Sequence, residues 1–426
     1  MIKIVVAVVL CALVSACGGG AGNDAKLRFT NLTTDSNGLS LYTGSDERIA
    51  NINPEQLSGY VDVDAKTYDL SVKKGAGSAL TTAPTALAKR KHYTAVSWGR
   101  DGAVKFSVLD EDQDAPNSGK VKLRVLNTAA DAGSLDVYLT SETEGLEGNT
   151  PTHGSTAVGT TTGFAEFNRG TYRLRVTAEG SKDDVRLDLS GLSFSDKQVA
   201  TMLLQSGVGG NLVHAYVLNQ QSGLQPNKTT QVRVRLAAGV GSNGNVSATV
   251  ATTTVSTGSV SPTVSGYVLV PAGNQTVLVQ LTGATIFSAT ENFVAGGDYT
   301  LLAYGPASAA QAKVFLDDNR PPSIATKAKI RLVHGAEGYP SLNMDVDNLT
   351  IFTQLGYGMA SSFVNVAPNS GNALMEVTSS LSNEPVYTSA RPNSSTTGVS
   401  LDAQNVYSLF ILGGGVTPRG ILRRER

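Results

Sequence analysis

The chain has 426 residues, 41% of them hydrophobic and only 16% charged, with 34 Lys and Arg against 35 Asp and Glu for a formal net charge of −1. That length suffices for two to four folded domains, and the near-neutral balance excludes nucleic-acid binding by bulk electrostatics. Gly, Ser, Thr, Val and Ala stand where charge is scarce, a bias toward strands and turns over helices.

The first seventeen residues, MIKIVVAVVLCALVSAC, carry one cation, Lys3, and then an apolar run over 4–14. The run is too short to cross a bilayer as a helix and suits a signal-peptide core. The segment LVSAC, ending at Cys17, resembles the lipobox of bacterial lipoproteins. That resemblance implies a signal peptide over 1–16 and lipidation of Cys17, which would hold the mature chain to a membrane. Cys11 leaves with the signal, so the exported protein has no disulfide to draw on. Residues 17–25 then read as the lipidated Cys and a flexible, glycine-rich tether. Gly18 directly after Cys17, where Asp would imply inner-membrane retention, points to the outer membrane if the cell is Gram-negative. The expected address is the bacterial cell envelope.

Next come internal repeats. KLRFTNL at Lys26, KLRVLNT at Lys122, QVRVRLA at Gln231 and KIRLVHG at Lys329 each alternate apolar and polar residues, the mark of a half-buried strand. Leu27, Leu123, Val232 and Ile330 are predicted to point into a core, and Arg28, Arg124, Arg233 and Arg331 outward, at intervals of 96, 109 and 98 residues. A second block, opened by Tyr60, Phe164, Tyr267 or Phe363, reads as strand, short turn, strand. A nearly continuous apolar run closes each copy: YTAVSWG, VATMLLQSG, YTLLAYG and YSLFILGG. About seven short strands per copy, with no helical period, predict an all-β chain of four tandem immunoglobulin-like β-sandwiches. The boundaries are 26–119, 120–229, 230–326 and 327–426, the last with a basic tail, RGILRRER, from Arg419. Each copy is long enough for its own core, so the arrangement expected is beads on a string.

The second copy, VKLRVLNTAADAGSLDVYLT followed by GFAEFNRGTYRLRVT, resembles the domain of unknown function 4397 family through Arg124, Asn127, Asp136, Val137, Tyr138, Gly170, Thr171 and Tyr172. The fourth keeps Arg331, His334, Asp345 and Val346, whereas the first has Ser40 and the third Ser247 where that Asp is expected. The resemblance implies a bacterial, extracytoplasmic protein and brings no enzymatic activity with it.

No residue set selects a reaction. GVGSNG over 239–244 fits a dinucleotide fingerprint, but NVSATVATTTV follows it, β-branched where a helix would be required. His92, His153, His214 and His334 lack ligand spacing. There is no G-x-S-x-G elbow and no free Cys nucleophile in the mature chain. Asp183 and Asp184 read as a solvated turn. No catalytic, cofactor or metal site is therefore expected. The linker acids Asp110, Asp112 and Asp114, with Asp317 and Asp318, are the minor candidates for calcium; the simpler reading is a charged strand end that blunts edge pairing. Trp98 and Tyr304, at equivalent strand ends, are candidates either for burial or for a sugar platform. The function expected is a non-enzymatic, lipid-anchored envelope protein with a structural, adhesive or ligand-presenting role. Its partners would be the membrane, through Cys17, and a surface glycan or envelope protein. The alternatives are a glycan- or calcium-binding surface module and a hydrolase with an unrecognised acidic site.

Overall fold

The computed structural model describes residues 23–382, 385–389, 398–414 and 418–426; Cys17 and the signal segment lie outside them. The described chain is built from strands, and its one helical element is a single 3-10 turn, Ala307–Ala309.

The first unit shows the plan. Its strands are β1 (Ala25–Thr33), β2 (Leu39–Thr43), β3 (Asp46–Ile52), β4 (Val61–Val63), β5 (Thr67–Lys74), β6 (Ala79–Ala86), β7 (His92–Gly99) and β8 (Lys105–Asp110). They form two four-stranded sheets, β4-β1-β7-β8 and β3-β2-β5-β6. The pair β1/β7 is parallel, with Arg28 opposite Thr94, and every other pair in these two sheets is antiparallel. Three more units repeat this order. Their β1 equivalents are Lys120–Asn127, Gln231–Val240 and Ala328–Ala336, each parallel to a β7 equivalent, Val199–Ser206, Asp298–Gly305 and Val406–Gly413. The sandwich expectation holds. The plan has eight strands with a parallel central pair, one more than the seven of an immunoglobulin constant domain.

Each unit has its own apolar core between its sheets. In the first, Leu27, Phe29, Leu39, Leu41, Leu70 and Val72 are fully buried, as the period-two pattern requires. The closing runs are apolar on both faces for a further reason. Their second face packs on a neighbouring sandwich, so the strands read as continuous hydrophobic runs. Leu32, Val96 and Leu109 of the first unit meet Leu126, Leu203, Tyr216 and Leu218 of the second. Ala237, Val264, Leu302 and Tyr304 of the third meet Val333, Phe410 and Leu412 of the fourth. A buried Leu or Phe contributes about 1.5–3 kcal/mol, so these seams are substantial. Beads on a string is therefore corrected: the sandwiches pack in pairs through their parallel-paired sheets.

The two pairs also touch. Gly209 N donates to Gly296 O at 3.0 Å, joining the second and third units. Arg100 of the first unit binds Asp131 of the second at 3.1 Å and also the Pro321 carbonyl. Arg426 reaches the Gly210 carbonyl at 2.8 Å. The basic tail is corrected by the same contacts. Arg419–Arg424 is the last strand of the fourth unit's first sheet, paired to Val406–Gly413, not a solvated end.

Candidate functional site: the arginine seams

The repeated arginines face away from their own cores, as alternation predicts, but not into water. Arg28, Arg235 and Arg331 are each no more than 3% exposed. The parallel register identifies the equivalent residue in each unit: Arg28 lies opposite Thr94, Arg124 opposite Thr201, Arg235 opposite Thr300 and Arg331 opposite Ser408. The third copy's seam arginine is thus Arg235, not Arg233. Both lie on one face, two residues apart, and alternation alone does not separate them.

Each arginine makes the same three contacts. Its Nε donates to the opposite hydroxyl: Arg28 to Thr94 at 2.8 Å, Arg124 to Thr201 at 3.0 Å, Arg235 to Thr300 at 2.9 Å and Arg331 to Ser408 at 3.0 Å. The guanidinium stacks on the aromatic that opens the second block: Tyr60 at 4.7 Å, Phe164 at 4.7 Å, Tyr267 at 4.5 Å and Phe363 at 4.9 Å. The remaining N–H groups reach the end of the neighbouring unit's eighth strand. Arg28 takes the Asn219 and Ser222 carbonyls of the second unit, and Arg124 takes the Asp110 carbonyl of the first, at 2.6 Å. Arg235 binds both Glu425 oxygens of the fourth unit, at 2.7 and 2.6 Å, and Arg331 binds Asp317 of the third, at 2.6 Å. The exchange is reciprocal within each pair of sandwiches.

Electrostatically these seams are closed. Asp317 is fully buried and accepts from Arg331, from Thr300 at 2.6 Å and from Tyr267 at 2.7 Å. Burial, reinforced by Asp317, raises the Tyr267 phenol well above its usual range. Glu111 accepts from Arg28 at 2.7 Å and from the Tyr60 hydroxyl. Burial opposes the charge on Arg235, yet Tyr267, Glu425 and Asp317 hold its pKa above the ordinary value. Guanidinium groups do not deprotonate in proteins, and the facing carboxylates already accept from them. The arrangement is suited to clamping, not to proton transfer.

The linker acids take parts in these contacts. Asp110 Oδ1 accepts the Asp112 amide at 2.8 Å, and Asp112 accepts the His92 amide at 2.6 Å and pairs with its Nδ1 at 2.9 Å. The Asp114 carbonyl accepts Lys122 Nζ at 2.9 Å. Asp318 binds Arg320 at 2.7 Å and Lys329 at 3.1 Å. No three His, Cys, Asp or Glu side chains are brought together to hold a metal among the described residues. Trp98 and Tyr304 are 4% and 6% exposed, which leaves neither ring face open to a sugar. The Asp183–Asp184 stretch is not a turn but part of the long strand Ser181–Phe194, where Asp184 pairs with Arg186 at 2.5 Å.

A second repeated device locks the loop after the first strand. The Asn31 and Asn127 side chains each accept the amide two residues on, at 3.0 Å, and donate to carbonyls across the loop. His334 does the same, with Nδ1 accepting the Ala336 amide at 3.3 Å and Nε2 donating to the Tyr339 carbonyl at 2.8 Å. Its role is thereby accounted for without a metal. In the second strand, Ser40 and Asp136 accept the amides of Asn51 and Ser155, both at positive φ. The fourth unit's counterpart is Asn343, which accepts Gln354, rather than Asp345.

The GVGSNG segment runs from the end of one strand into another, Asn245–Val250, without a helix. Gly239 lies in a tight contact. A Cβ there would sit 3.0 Å from the Gly335 carbonyl of the fourth unit.

These repeats coincide with a family match. The family model for a domain of unknown function, DUF4397, matches residues 25–138 and 233–345. The chain belongs to the DUF4397 family. Each matched stretch covers one sandwich and the opening strands of the next, and so contains both arginines of one seam. No curated protein matches the chain. Among solved structures, it is similar to a candidate cell adhesion protein of Bacteroides uniformis, at 12% identity and a TM-score of 0.19 over 47% of this chain and 99% of that one. The Bacillus anthracis TIE protein matches at 12% identity and 0.15, over 89% and 66%. A family CBM26 module of Eubacterium rectale, crystallised with maltoheptaose, matches at 12% and 0.15, over 48% and 99%. At these TM-scores no role is carried over from any of the three.

Proposed function

We propose that this DUF4397 protein is a non-catalytic, lipid-anchored component of the bacterial cell envelope. Its four sandwiches act as one stiff body, held from the membrane on the tether at Cys17, in a structural or adhesive role. The supporting observation is the use of the repeated charged residues. Arg28, Arg124, Arg235 and Arg331 all engage the neighbouring sandwich, so what the repeats share is architecture. The lipobox-like segment ending at Cys17 supplies the address.

Three measurements test this reading. Clickable palmitate should label the wild-type protein and not Cys17→Ala; equal labelling, or none in either, removes the anchor. Small-angle scattering of the purified protein should give a radius of gyration of about 22 Å, the value for a compact body of about 400 residues. A much larger radius would restore the extended string. Turnover on an ester, glycoside or peptide panel would overturn the non-catalytic assignment.

A further inference from the structure

The third sandwich differs from its siblings in charge. Between Arg235 and Glu291 the sequence contains no Asp, Glu, Lys, Arg or His. Its second sheet, in the order Thr253–Val260, Asn245–Val250, Gly273–Leu281, Ala284–Phe293, lies almost wholly within that stretch. Glu291 apart, the sheet's exposed and partly exposed polar positions are hydroxyls and amides, among them Ser247, Thr249, Thr254, Gln280 and Ser288, with Val260, Leu278 and Ile286 exposed or partly exposed beside them.

An open sheet edge presents unpaired N–H and C=O groups, and proteins ordinarily guard it with charge, proline, bulges or brevity. The edge strand equivalent to Ala284–Phe293 is guarded in each of the other units. β6 has Pro84 in its middle. Ser181–Phe194 carries Lys182, Asp183, Asp184, Arg186 and Asp188 and shifts register three times. Pro385–Thr388 has four residues and begins with proline. Ala284–Phe293 has ten residues, no proline and a single charge, Glu291, near its end. Its one register shift falls early, so 287–293 pair with 273–279 without interruption. Gly273–Leu281 is its one neighbour in the sheet, and no further backbone bond is made from 284–292 among the described residues.

We propose that the Ala284–Phe293 edge is a self-association surface and that its occupant is the same edge of a second copy of this chain. Two such edges meet antiparallel about a two-fold axis, which is self-complementary by construction. They would join two four-stranded sheets into one of eight. An edge whose single charge, Glu291, lies near one end suits an identical partner, because antiparallel pairing centred on the strand keeps the two Glu291 side chains apart. The other three edges, with proline, charge or brevity, cannot pair in this way.

The test is sedimentation equilibrium of the full chain in detergent, with the double variant Ser288→Lys, Thr290→Lys beside it. The wild type should show a concentration-dependent dimer and the lysine variant a monomer at the same concentration. A strictly monomeric wild type, or a dimer indifferent to the two lysines, overturns the proposal. Single-cysteine probes cover a variant that fails to fold. Among Ser288→Cys, Thr290→Cys and Asn292→Cys, at least one should give a disulfide-linked dimer on mild oxidation, while Thr82→Cys on β6 should not. Equal crosslinking at both edges, or at neither, would also overturn it. Depletion of the dimer by a neutral polysaccharide that binds the same face would assign the surface to glycan instead.

Discussion

Arg235 and Glu425, 190 residues apart in sequence, form a bidentate pair at 2.7 and 2.6 Å that joins the third sandwich to the fourth. Both side chains are nearly fully buried, at 3% and 2% exposure. Removing Glu425 leaves Arg235 only the longer contact to Asp317 at 3.6 Å in a dry seam, and breaking a buried pair typically costs about 3–5 kcal/mol. Glu425→Ala should therefore lower the melting transition of the third and fourth sandwiches strongly. Arg235→Met with Glu425→Leu should recover much of the loss, because no charge is left unpaired. Thermal unfolding of Arg235→Met, of Glu425→Leu and of the double variant checks this. Additive losses would show that the pair is not coupled.

The glycine at 239 gives a second expectation. A methyl group there meets the Gly335 carbonyl and Leu412, each at 3.0 Å, across the same seam. Gly239→Ala should destabilise by about 1–3 kcal/mol, as overpacking does. Adding ATP or NAD should shift neither the wild-type nor the variant midpoint. A nucleotide-dependent rise would return this loop to the binding-site reading.

The sequence pattern was sufficient for the sandwiches themselves. Alternation in KLRFTNL placed Leu27 inward and Arg28 on the opposite face correctly, because side chains in a strand alternate by geometry. It was silent on what covers that opposite face. The closing run YTLLAYG signals burial on both sides, yet only packing shows that Leu302 and Tyr304 meet the fourth unit rather than the third unit's own core. The hydroxyls of Thr94, Thr201, Thr300 and Ser408 recur within those apolar runs, and that polar exception was the available clue to the arginine sites. Glu425 had no such clue. It sits in a run of arginines that looks like a solvated end until the strand pairing is known.

The linker acids carry a third expectation. Asp317 is saturated by Arg331, Thr300 and Tyr267, and Asp318 by Arg320 and Lys329. A hard cation needs several oxygens not already engaged by donors. Melting curves in calcium and in chelator should coincide. Asp317→Asn should lower the midpoint equally in both, through the loss of its pairing with Arg331. A calcium-dependent rise, abolished by Asp317→Asn, would reinstate the cation.

Acid sensitivity follows from two buried histidines. Burial lowers both His214 and His334 to about 4 from an ordinary 6.5. Lys228 pushes His214 further down, while Glu55 pulls the other way. With the folded pKa depressed, the unfolded chain binds more protons between these values. Each histidine's contribution is complete above about pH 6.5 and is lost as pH falls toward 4; between pH 7 and 5 the loss is on the order of 2 kcal/mol per residue. Denaturant midpoints should fall over that range. His334→Asn offers the sharper measurement. Asn31 and Asn127 already hold the equivalent loops in the first and second sandwiches, so the exchange keeps the hydrogen bonds and removes the titration. The variant should match the wild type at pH 7 to within about 1 kcal/mol, the scale of one hydrogen bond, and exceed it at pH 5. A parallel pH slope in the two proteins would show that His334 does not titrate on unfolding.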